Sequence, residues 1–130
     1  MLLGLLLSTQ IVCQNGVIST NYSRILGVEF ASSLTCAELE AAPRWTETQS
    51  NPPLSARDAL AAAKAALPKI VENPAMWDFG ALELRPMIVP DTWVWIVQFY
   101  VRPTGPLGGV SQSLRIVVLM NGHVIEPVRR

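Results

Sequence analysis

Few side chains in this sequence are of the types that carry chemistry. There are two cysteines, Cys13 and Cys36, and a single histidine, His123. A zinc site needs several Cys or His ligands, usually with a Cys-x-x-Cys or a closely spaced His pair. Neither pattern occurs, so no metal ligand set is expected. A Ser–His–Asp triad would have to use His123, and there is no Gly-x-Ser-x-Gly elbow to present the serine. A Cys–His pair would need Cys36 to reach His123, which stands beside the turn signal Asn121-Gly122. Asp91, Glu83 and Glu126 are single acids near turns or on wet strand faces, and nothing in their spacing puts two carboxylates into one pocket. Gly105, Gly108 and Gly109 lack the following Lys and helix of a phosphate cradle, and read as a long hairpin loop. No catalytic residue, cofactor site or metal site is assigned, and His123 is expected to be an exposed turn residue.

The elements that would position any site centre on Trp93-Val94-Trp95-Ile96-Val97-Gln98-Phe99-Tyr100-Val101. This run is nearly all β-branched and aromatic, as in a strand inside a sheet. Trp93, Trp95, Val97, Phe99 and Val101 share one wholly apolar side. Before it, Gly80–Met87 alternates as a strand with one wet face. After it, Ser113–Met120 is a strand whose apolar side is Leu114, Ile116, Val118 and Met120. Asn121-Gly122 predicts a two-residue hairpin with both turn residues at positive φ, and His123–Glu126 returns. Trp77 and Phe79, in the connection before these strands, are expected to cover a helix end.

That helix opens at Ser55, a good N-cap, with Asp58 at the third helical position, and runs through an alanine-rich segment to Leu67. Ala56, Ala59, Leu60, Ala63, Leu67 and Ile70 fall on one face, and Pro68 should end or kink it. The order of helix and four hairpin-linked strands implies the α+β class: one amphipathic helix packed on a four-stranded antiparallel meander, spanning residues 53–128.

Residues 15–52 are the poorly defined part, an N-terminal segment and linker. Asn21-Tyr22-Ser23 fits a glycosylation acceptor. Thr35–Ala42 reads as a short helix capped by Thr35, with Glu38 three residues on and Pro43 after its end. Pro43–Pro53 reads as a linker in which Trp45 is a peg into the domain. Residues 1–14 are apolar and too short to span a bilayer, which takes about 20 residues. They read as a signal peptide or apolar leader, with a buried N-terminal strand or helix as the alternative. Cys13 is placed where a lipid-modified cysteine could stand, or could pair with Cys36.

Ten basic and ten acidic residues give a formal net charge of zero, so no field draws nucleic acid or an anionic membrane. Membrane contact is expected only through the leader. The second side of the sheet carries Val94, Ile96 and Tyr100, with Val117 and Leu119 from the next strand. Either residues 17–42 cover these five, or they form a surface for a homodimer or for a protein or peptide partner. Strand addition at a free sheet edge is another route to peptide binding.

The helix opening Pro-Pro-Leu-Ser-Ala-Arg-Asp-Ala-Leu, the Trp-rich strand and the closing Leu-Arg-Ile-Val-Val-Leu-Met-Asn-Gly-His-Val-Ile-Glu-Pro resemble the PepSY-like modules of bacterial envelope proteins, and small secreted proteins of planctomycete-type bacteria. The resemblance covers residues 52–128. It implies a non-catalytic, secreted or periplasmic binding or regulatory module that restrains peptidases or interacts with the envelope. A cystatin-like arrangement, with a ligand pocket or small enzyme site between helix and sheet, is the alternative, but the Gln-x-Val-x-Gly loop of inhibitory cystatins is absent.

Overall fold

A computed structural model of the protein describes residues 16–25, 27–102 and 112–130. The apolar leader, Cys13 and the glycine-rich loop 103–109 lie outside the described residues.

The class is α+β, with one main helix and a large antiparallel sheet. Strands β1 (Val17–Ile25) and β2 (Val28–Thr35) come first, then α1 (Cys36–Ala41) and α2 (Ala56–Ile70). Strands β3 (Trp77–Pro86), β4 (Trp93–Val101), β5 (Ser113–Leu119), β6 (Val124–Ile125) and β7 (Val128–Arg129) follow. The strand order is β3-β4-β5-β1-β2-β7, with β6 paired to β5. The described sheet therefore has seven strands rather than four, and it extends back beyond residue 53.

The N-terminal strands escape the apolar-alternation test for a physical reason. In the β1–β2 register Asn21 lies opposite Ser32 and Ser23 opposite Phe30, so small polar residues line the side that also carries buried Ser23, Ser32 and Leu34. Only Arg24 and Ser113 pair between β1 and β5, after which the strands diverge. There Ser23 Oγ accepts from the Arg115 N–H at 2.9 Å, in place of a ladder bond.

Helix α1 forms as its sequence implies. Thr35 Oγ1 accepts from Glu38 N–H at 3.2 Å, and Glu38 Oε1 accepts from Thr35 N–H at 3.1 Å, completing a capping box. Helix α2 starts with Ser55 Oγ accepting from Asp58 N–H at 3.1 Å. It buries Ala59, Ala63, Ala66 and Leu67, whereas Ala56 in the first turn is exposed. Pro68 does not end it. The helix continues to Ile70, and Val71 N–H still donates to Leu67 O at 3.0 Å. Proline so near the end removes a single donor toward Lys64, whose residue is exposed and can leave its carbonyl to water.

Trp95 fixes which side of the sheet the helix covers. Its Nε1 donates to Leu54 O, just ahead of α2, at 3.0 Å, and the residue is 8% exposed. Val97, Phe99, Leu114, Ile116 and Val118 share that side and are buried. The opposite side is also closed. Val94, Ile96, Val117 and Leu119 join Leu34, Cys36 and Leu39 in one core cluster. Asn21 Oδ1 lies 3.5 Å from Arg85 Nη1 although β1 and β3 are three places apart in the sheet.

Trp77 and Phe79 belong to β3, which begins three residues before the predicted Gly80. The Asn121-Gly122 hairpin differs in turn type. Gly122 N–H donates to Leu119 O and Leu119 N–H to His123 O, each at 2.9 Å. Only Gly122 has positive φ (86°), while Asn121 Oδ1 accepts from His123 N–H at 3.0 Å. The loop thus has three residues, with glycine at the left-handed position. A Cβ on Gly122 would meet nothing within 4 Å, so Gly122→Ala isolates the backbone term. It is expected to cost about 1–2 kcal/mol in urea unfolding, with no change in m-value.

Candidate binding site

Two adjoining features of the β3–β4 end offer themselves to a partner. The first is the outer edge of β3, ten residues long and paired only with β4 among the described residues. The phase of its hydrogen bonding is set at both ends. Met87 N–H donates to Thr92 O at 2.9 Å, and Arg102 N–H donates to Met76 O at 3.3 Å. A register shift between Phe79 and Ala81 separates the two halves. Antiparallel alternation then turns Asp78, Ala81, Glu83 and Arg85 toward β4. Trp77, Phe79, Leu82 and Leu84 direct their N–H groups outward, and Pro86, with no donor, closes the row. The side chains along the edge differ by face. Phe79, Leu82 and Leu84 stand on the α2 side; Asp78, Glu83 and Arg85 stand on the other.

Gly80 has a local reason to be glycine. A Cβ there would come within 2.9 Å of the Tyr100 ring, so that ring lies over a bare stretch of backbone. Phe79 and Met76 beside it are each 41% exposed. At this end Asp78 takes two hydrogen bonds from Arg102, at 2.7 and 2.9 Å. First that hydrogen bond and then the Asp78 charge raise the Arg102 pKa above its ordinary value.

The second feature is a cleft of 290 Å³ lined by Trp45, Thr46, Glu47, Pro86, Met87, Asp91, Thr92 and Trp93. Segment 44–47 is pinned to the β3–β4 turn by three bonds. Trp45 N–H donates to Asp91 O at 2.9 Å, Trp93 Nε1 to Trp45 O at 3.0 Å, and Arg44 Nη1 to Pro90 O at 2.7 Å. The Trp45 and Trp93 rings meet edge to face, with centroids 5.1 Å apart at 72°. Asp91 holds φ 59°, a left-handed value that Asp tolerates better than most residues. Trp45 is the expected peg, and its Nε1 is buried without a hydrogen-bond partner. The cleft was not legible in the sequence, because it joins residues 45–47 to residues 86–93. The composition of Pro43–Pro53 gave only the peg.

The five residues expected either to lie under residues 17–42 or to form a partner surface do not come to the surface together. Val94, Ile96, Val117 and Leu119 are at most 4% exposed within the chain, while Tyr100 is 37% exposed. His123 is exposed, with Nε2 3.8 Å from Glu38 Oε2. Asn21 of the glycosylation pattern is half-buried in β1 and faces Arg85. Cys36 is buried and disulfide-bonded. Among the described residues no group of three or more His, Cys, Asp or Glu could hold a metal ion, and no helix is long and apolar enough to cross a membrane. No protein-family model, curated protein or solved structure matches the chain.

Proposed function

We propose that this protein is a non-catalytic binding module of the PepSY-like type, working outside the cytoplasm, that takes an extended segment of a protein or peptide partner onto the outer edge of β3. The observation that carries the reading is the row of outward N–H groups at Trp77, Phe79, Leu82 and Leu84, with no strand beyond it among the described residues. Backbone pairing would supply affinity, and alternating apolar side chains beside Phe79, Leu82 and Leu84 would supply selectivity. Ala59, Ala63, Val97 and Ile116 are fully buried where the helix meets the sheet, which favours an edge site over a cystatin-like pocket there.

The test is selection of peptides from a random library on the full chain. Extended peptides with alternating apolar residues are expected. N-methylation at every second residue, in the phase that faces β3, should abolish binding, and methylation in the other phase should not. Selected peptides indifferent to methylation phase would contradict the reading. So would a chain that size-exclusion chromatography with light scattering shows to be a dimer whose β3 edges are consumed by each other.

A further inference from the structure

The edge and the cleft are continuous, because Pro86, the last residue of β3, is also a wall of the cleft. We infer that the cleft receives a basic side chain, lysine or arginine, from the peptide segment that pairs with β3; this rests on the edge-pairing reading above. The charged residues lining the cleft are Glu47 and Asp91, both exposed, and no Lys, Arg or His lines it. Neither carboxylate forms an ion pair among the described residues. Arg44, the basic residue nearest Glu47 in sequence, has its guanidinium engaged by Pro90 O, and Arg85, the one nearest Asp91, pairs with Glu83. Indoles are the best aromatic partners for a cation, and two of them line the same space.

Spacing along the edge sets which residue of the partner could enter the cleft. Pro86 offers no N–H, so backbone pairing loses its donor there and a partner chain is free to turn aside. At about 3.4 Å per residue, the basic residue would lie two or three positions beyond the one opposite Leu84.

The test uses a selected β3-binding peptide, resynthesised with lysine, norleucine or glutamate at each of the three positions beyond the Leu84 partner. At one position lysine should bind about tenfold tighter than norleucine, and glutamate more weakly than either. The lysine advantage should vanish in the double variant Glu47→Gln, Asp91→Asn; asparagine tolerates the left-handed backbone at residue 91. Should the double variant not fold, Glu47→Gln alone is expected to reduce the advantage. Lysine and norleucine binding alike at every position, with Phe79→Pro still abolishing affinity, overturns the cleft inference and leaves edge pairing standing. A lysine advantage that survives while Phe79→Pro has no effect overturns the edge pairing on which the inference rests.

Discussion

Phe79→Pro is expected to weaken binding of a β3-pairing peptide by ten- to several-hundredfold while the chain stays folded. Phe79 donates outward, so proline removes no bond to β4, and edge positions tolerate proline where interior ones do not. The bound peptide loses a donor and keeps a carbonyl with nothing to accept from, a cost of about 1–3 kcal/mol, and the proline ring further obstructs close approach. The Phe79 side chain is 41% exposed, so its removal costs the core little. Phe79→Ala serves as the control: it deletes the ring and keeps the N–H, and should retain most of the affinity. Isothermal titration with one selected peptide separates these outcomes, and thermal melts of both variants show whether the fold is retained. Equal losses in both variants would assign the effect to the ring rather than the edge.

The largest effect on stability is expected at Trp95. Trp95→Ala should lower the unfolding free energy by about 3–5 kcal/mol, a large fraction of the 5–15 kcal/mol typical of a domain. Three losses combine: a buried indole, its packing in the core cluster, and the Nε1 bond that ties Leu54 O ahead of α2 to the sheet. Trp95→Phe keeps most of the aromatic area and drops the bond. It should cost about 1–3 kcal/mol, from a part-buried carbonyl left without its donor plus a small void. Urea unfolding followed by far-ultraviolet circular dichroism measures both. Equal, small losses would mean that the tryptophan does not join helix to sheet.

The elements that could be read from the sequence are those whose periods are driven by burial. Trp93–Val101 is β4 at the predicted bounds, Ser113–Met120 contains β5, and Ser55 and Thr35 cap the helices their chemistry implies. The first two strands were illegible because Ser19, Asn21, Ser23 and Ser32 alternate with residues such as Tyr22 and Arg24 that face out, inverting the usual pattern. Their remaining signal was two β-prone runs separated by Leu26-Gly27, with Gly27 at φ 76°. With those strands unread, cover by residues 17–42 and a partner surface both stayed open for Val94, Ile96, Val117 and Leu119; Leu34, Cys36 and Leu39 share their core cluster. The candidate site was legible only as a possibility of edge pairing. Which strand lies at the edge depends on sheet order, and Trp45 meets Asp91 only through long-range folding.

Residue-resolved amide hydrogen exchange across β3 is the most direct test of the open edge. In the free chain Leu82 and Leu84 should exchange far faster than their neighbours Glu83 and Arg85, whose N–H groups are held by β4, and a bound peptide should slow Leu82 and Leu84 to match. Equal, strong protection of all four amides in the free chain would mean that the edge is already occupied, and would contradict the account.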